Sequence, residues 1–157
     1  GIVYAAYVRP PEPVTDYRTA VSGVRPAHMR FAWPFRRVQA DLVALLKGRV
    51  LVGHALVNDL KALQLTHPKH DRRDTALYAP FRLQRDGIDR ARKLRSLATE
   101  LLDMQIQRGQ HSPLEDAVAT LRLYKLRRAE WEHECRRRVR PKLPKKRSRR
   151  HEEGNIG

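Results

Sequence analysis

The chain has 157 residues, enough for one domain with a hydrophobic core plus a tail, and too few for two large domains. Its 33 Lys and Arg against 17 Asp and Glu give a net charge of +16 and a pI near 11.0, a surplus that points to nucleic acid or an acidic protein as partner. No apolar run reaches the roughly 20 residues that span a bilayer, and GIVYAAYV lacks the basic start and length of a signal peptide, so a soluble intracellular protein with no membrane partner is expected. The single cysteine, Cys135, forbids an intrachain disulfide and cannot build a zinc site alone.

Ile2 to Val8 reads as a strand, closed by the turn-rich RPPEPVTD. With no initiator methionine and no lead-in before that strand, Gly1 is expected to begin a fragment or an ordered segment of a longer product. Pro34, Val38, Leu42, Leu45 and Leu46 predict a helix ending at Gly48. RVLVGH is a short apolar strand, a helix over 56–65 follows, and RRDTALY reads as a strand or an extended segment. From Leu94, the spacing of Leu94, Leu97, Leu101 and Met104 predicts another helix. After the RGQH loop, SPLE forms a capping box: Ser112 caps, Pro113 takes the first helical position and Glu115 reaches back. A long helix starts there, with Leu114, Ala117, Val118, Leu121 and Tyr124 as its apolar stripe, continuing toward Trp131. There is no internal repeat, and the alternation of strands and helices predicts an α/β sheet layered with helices.

The last 22 residues, from Arg136, carry ten Lys or Arg and two Glu, half of the whole surplus. RRRVRPKLPKKRSRR has two prolines and self-repelling charge, so residues 135–157 are expected to be a disordered basic tail behind a domain of residues 1–134. Arg136, Arg137, Arg138, Lys145, Lys146, Arg147, Arg149 and Arg150 are its candidate phosphate contacts, with a nuclear localisation signal or a mere solubilising tail as the other readings.

Three groups carry candidate chemistry. In LVGHALVNDLKAL, Asp59 shares helical spacing with Leu56, Leu60 and Leu63, which places an ionisable carboxylate at the core edge, where it needs a hydrogen bond, a cation or a metal. In QHSPLEDA, His111 precedes a helix cap and Asp116 falls in the first turn, so one corner presents an imidazole and a carboxylate together. Taken singly, Asp116 is also explained by the helix dipole, and His111 is also an ordinary loop histidine. Together they suit metal-assisted phosphodiester hydrolysis: Mg²⁺ or Mn²⁺ prefers carboxylates, paired ions sit about 4 Å apart, and an imidazole of pKa about 6.5 takes a proton from water near neutrality.

GHALVNDLKAL resembles the second motif, and HSPLEDA the third, of the DEDDh 3′→5′ exonucleases, in the branch of RNA exonuclease 4 and the interferon-stimulated 20 kDa exonuclease. YVRPPEPVTDYRTAVSGVRP, LLKGRVLVGHA, HPKHDRRDT and EDAVATLRLYKLRRAEWE extend the resemblance from about Gly1 to Trp131. It implies an RNase H-like mixed sheet flanked by helices, and a two-ion Mg²⁺ or Mn²⁺ site in which Asp59 and Asp116 bind metal and His111 is the general base. It further implies RNA as substrate, ribosomal RNA processing on a pre-ribosomal particle, and a nuclear, nucleolar location. The family's first motif, an Asp-x-Glu on the opening strand, occurs nowhere in this sequence. The first two strands of the sheet are therefore expected to be absent, the metal site incomplete, and the natural protein to extend upstream of Gly1. Glu132-His133-Glu134, at the far end of the final helix, is a poor substitute. The other reading is a catalytically inactive, exonuclease-like module that binds RNA or serves assembly on such a particle.

Four more residues are candidate substrate contacts: His54 at the end of the second strand, Asn58 beside Asp59, and Ser22 and Gly23 in TAVSG, where glycine permits close backbone approach. His54 and Asn58 also have structural readings, a hydrogen-bonded loop edge and a cap. Asp74 in RRDT either anchors a turn or pairs with Arg73.

Overall fold

The computed structural model describes residues 1–85 and 87–139. Strands and helices alternate as β1 (Val8–Arg9), α1 (Thr19–Ser22), β2 (Trp33–Pro34), α2 (Phe35–Leu46), β3 (Leu51–Gly53), α3 (Leu56–Ala62), β4 (Arg72–Asp74), β5 (Leu83–Arg85), β6 (Ile88–Arg90), α4 (Leu94–Leu102), α5 (Pro113–Leu126) and α6 (Arg128–Val139). Among the described residues the strands pair as three two-stranded ladders, β1 parallel to β2, β3 parallel to β4, and β5 antiparallel to β6.

The predicted strand Ile2 to Val8 shrinks to Val8–Arg9. A strand needs a neighbour for its amides, and Ile2 and Val3 stand exposed at the start of the chain. The other predicted strands and helices form, and the helix of residues 56–65 closes at Ala62 with Leu63 as its C-terminal cap.

The core gathers around the C-terminal helices. Leu94, Leu97 and Ala98 of α4 pack with Ala119 and Leu123 of α5, together with Tyr78, Phe81, Ile106 and Trp131. Tyr78 lies flat on Trp131, with ring centroids 3.9 Å apart and planes 5° from parallel. The long predicted helix is broken at Arg127, so Trp131 reaches the core from α6 and not from α5. The predicted stripe of α5 is corrected too: Leu114, Ala117, Val118 and Leu121 are exposed, while Ala119, Thr120 and Leu123 are buried. The face chosen is the one that meets α4, a tertiary contact that outweighs the larger side chains.

Arg73 and Glu132 dock α6 onto β4. The Arg73 guanidinium donates to both Glu132 oxygens at 2.7 and 2.8 Å, and the Tyr124 hydroxyl donates to Glu132 Oε1 at 2.9 Å. Glu132 is thus committed to the fold, far from serving as a substitute metal ligand. The helix runs through Val139, so Arg136, Arg137 and Arg138 are exposed helical residues and not the opening of a disordered tail. Lys145, Lys146, Arg147, Arg149 and Arg150 lie outside the described residues.

Candidate active site

Asp74 builds the corner from which Asp59 projects. Its carboxylate accepts from the backbone N–H groups of Ala55 at 2.8 Å, Leu56 at 2.9 Å and Ala76 at 2.9 Å. Two of these are free donors at the start of α3, so a side chain from the neighbouring strand caps that helix. Of the two sequence readings of Asp74, the turn anchor holds; Arg73 pairs with Glu132 instead. Ala55 is held in the left-handed region at φ 58°, and Gly53 leaves room for Leu56, whose Cδ2 would lie 2.0 Å from a Cβ at that position.

Asp59 falls in the first turn of α3. It is exposed and not at the core edge, because Leu56 and Leu60 alone turn inward. Its carboxyl is nevertheless pushed above the ordinary aspartate range, first by partial desolvation and then by the Asp74 charge. Asn58 is exposed beside it, its backbone N–H bonded to the Ala55 carbonyl.

His54 Nδ1 lies 2.9 Å from Thr75 Oγ1, so one ring nitrogen is engaged within the fold. Burial lowers its pKa, against the opposing charges of Asp74, Asp116 and Asp59, which all act on this imidazole. The residues of the second and third motifs therefore share one electrostatic neighbourhood, brought together where α5 packs on β3.

The third motif folds as its capping chemistry requires. Ser112 Oγ accepts from the Glu115 N–H at 3.4 Å and Pro113 opens α5, which sets Asp116 in the first turn. His111 Nδ1 stands 4.0 Å from Asp116 Oδ2, and Gln107 Nε2 donates to Asp116 Oδ1 at 3.0 Å. Gln107 joins the site from a loop, through a contact that no spacing rule encodes. The His111 N–H donates to the Val21 carbonyl at 2.8 Å, which brings Ser22 and Gly23 against the same corner. Ser22 Oγ is spent locally, donating to the Tyr17 carbonyl and accepting from the Val24 N–H. Gly23 caps α1 at φ 69°, with Gln110 Oε1 3.1 Å from where a Cβ would stand.

Residues 1–124 match the family described as Exonuclease. The chain belongs to the exonuclease family. Within it, the chain sits on the DEDDh branch of the RNA exonuclease 4 proteins. It is 49% identical to human RNA exonuclease 4 over 137 residues, covering 87% of this chain and 32% of that protein. It is 46% identical to RNA exonuclease 4 of Gibberella zeae, over 89% of this chain and 43% of that one, and 46% identical to human apoptosis-enhancing nuclease, over 85% and 42%. The chain thus spans about a third to a half of the length of these relatives. The Saccharomyces cerevisiae Pan2 pseudoubiquitin hydrolase and RNA exonuclease module, solved with A7 RNA, aligns with a TM-score of 0.67 at 34% identity, over 85% of this chain and 22% of that one. The fold is RNase H-like. The Neurospora crassa Pan2 catalytic unit shares it at 22% identity, with a TM-score of 0.66 over 87% of this chain and 24% of that one.

Asp59 and Asp116 offer the hard oxygen donors that Mg²⁺ or Mn²⁺ selects. Among the described residues, however, no group of three or more His, Cys, Asp or Glu side chains converges. The donor chemistry fits a divalent cation as part of a cation site, with the remaining positions left to water, substrate phosphate or other ligands.

Proposed function

We propose that the chain carries the second and third motif residues of a metal-dependent 3′→5′ exonuclease acting on RNA. The observation that carries the reading is the approach of His111 Nδ1 to Asp116 Oδ2 at the head of α5. That approach leaves His111 Nε2 to take the proton from an attacking water, while the carboxylate steadies the imidazolium that forms. Asp59 and Asp116 would hold Mg²⁺ or Mn²⁺, which when bound supplies Lewis-acid stabilisation of the charge developing on the phosphate. Gln107 fixes the rotamer of Asp116 through its amide. The family and the RNA exonuclease names of its relatives support RNA as the substrate. The net charge of +16 and the exposed Arg136, Arg137 and Arg138 support a polyanion, and ribosomal RNA on a pre-ribosomal particle in the nucleolus is the setting we propose for it.

A 5′-labelled single-stranded RNA tests the reading. Incubated with Mg²⁺ and the protein in a form that carries the family's Asp-x-Glu motif, it is expected to shorten one nucleotide at a time from its 3′ end, and EDTA is expected to stop this. Endonucleolytic fragments, or hydrolysis that persists in EDTA, would refute it. The absence of an Asp-x-Glu from this sequence, with no third ligand converging on Asp59 and Asp116 among the described residues, favours a second reading, an inactive RNA-binding or assembly module, which predicts salt-sensitive RNA binding without turnover.

A further inference from the structure

From Arg25 to Ala40 the sequence holds four arginines and no acid. It also exposes aromatic surface: Phe31 is 80% and Trp33 51% exposed. Two large rings exposed two positions apart concentrate aromatic surface in one stretch of the chain. Arg37 places its guanidinium 5.5 Å from the Trp33 ring centroid and is itself held by Asp41 at 3.1 Å. Trp33 is pinned through its backbone, which donates to the Tyr7 carbonyl at 2.8 Å within the β1–β2 ladder. Among the described residues, Arg30 and Arg36 have no ion-pair partner, and both are exposed.

In the sequence the patch directly follows the loop that is bonded to the third motif. Gly23, whose loop bonds to His111 through Val21, lies two residues before Arg25. A groove of about 550 Å³ lies beside that loop, its lining including Glu12, Asp16, Tyr17, Ser22, Val24 and Met29.

We propose that Phe31 and Trp33, with Arg25, Arg30, Arg36 and Arg37, form a stacking platform for single-stranded RNA, holding bases upstream of the end that enters the catalytic corner. The proposal rests on the reading of the chain as an RNA nuclease and adds to it a second, metal-independent contact. A ring pinned by its backbone and covered on one face by a guanidinium loses little freedom when a base stacks on the other, while arginines neutralise the phosphates alongside.

The test is binding of a uridine 12-mer to the full chain in EDTA, at about 50 mM salt. There Phe31→Ala and Trp33→Ala are each expected to weaken binding about tenfold, the usual scale of one base stacked on one ring. Trp33→Phe is expected to keep the affinity within about threefold and to remove the oligonucleotide-induced quenching of tryptophan emission, since the remaining Trp131 is buried. Both rings are exposed, so folding of the variants is checked by unchanged circular dichroism and melting. Unchanged affinity in the Phe31→Ala/Trp33→Ala double variant would overturn the proposal, and so would equal binding of a polyglutamate of the same length. Failure of the nuclease reading is seen separately, as absence of Mg²⁺-dependent hydrolysis whatever the binding result.

Discussion

The His111 N–H donates to the Val21 carbonyl at 2.8 Å, so the loop carrying the candidate base is fastened to the turn that closes α1. Gly23 lets that turn close, at φ 69°. Gly23→Ala is expected to cost about 1 kcal/mol from the left-handed backbone alone. It also presses a methyl against Gln110, whose flexible amide can yield, so the larger expected effect is on turnover through the displaced His111. Urea unfolding and RNA hydrolysis rates measured side by side check both.

Asp74 and Ala55 show a fold feature placed directly beneath the site. Asp74→Ala strips three backbone N–H groups of their acceptor and is expected to destabilise the protein by about 3 kcal/mol or more, given about 1–3 kcal/mol for each buried donor left unpaired. Asp74→Asn keeps one carbonyl oxygen as acceptor and should fall between the two. Chemical denaturation of the three proteins gives the order.

The Arg73 guanidinium, with its side chain only 5% exposed, holds the Glu132 carboxyl below the usual glutamate range, aided by the Tyr124 hydroxyl. A depressed folded-state pKa contributes stability that is fully present above the unfolded value and is lost as the pH falls through the folded value. The wild type should therefore lose stability on acidification below about pH 4.5, where an unpaired glutamate begins to protonate. Glu132→Gln should lack that share of the acid limb. At neutral pH, removing one member of a buried pair is expected to cost about 3 kcal/mol. Melting temperature measured against pH for both proteins tests this.

Asp59 behaves in the opposite sense. Its folded-state pKa is raised, so the ionised form is disfavoured in the folded protein, and the penalty is complete above the folded value. Asp59→Asn is expected to raise the melting temperature of the metal-free protein at pH 7 and to leave it unchanged near pH 3, where the carboxyl is protonated in both states. A lower melting temperature at pH 7 would show that Asp59 serves the fold.

The sequence made Asp59, His111 and Asp116 legible because each lies in a short motif whose local rules, helix first turns and a serine cap, survive into the structure. Ser112 and Pro113 do what their order predicts at the head of α5, while Glu115 contributes its backbone N–H to the Ser112 cap. What escaped was set by contacts distant in sequence. Leu114, Val118 and Leu121 look like a core stripe by spacing, but α4 packs on Ala119 and Leu123. Asp59 falls outside the buried face for a similar reason, since Leu56 and Leu60 suffice to seat α3. Gln107 reaches Asp116 from the loop before α5, and Arg73 pairs with Glu132 across 59 positions of chain. No periodicity records such pairings.

The central claim is that Asp59 and Asp116 serve catalysis and not the fold. Its most direct test is Mg²⁺-dependent shortening of a 5′-labelled RNA by Asp59→Asn beside the wild type, both in a form that carries the family's Asp-x-Glu motif, with melting curves from the same preparations. The account predicts a folded variant whose hydrolysis falls by about a thousandfold or more, the scale of a lost charge-stabilising group. A folded variant that hydrolyses RNA within a few-fold of the wild type would contradict it.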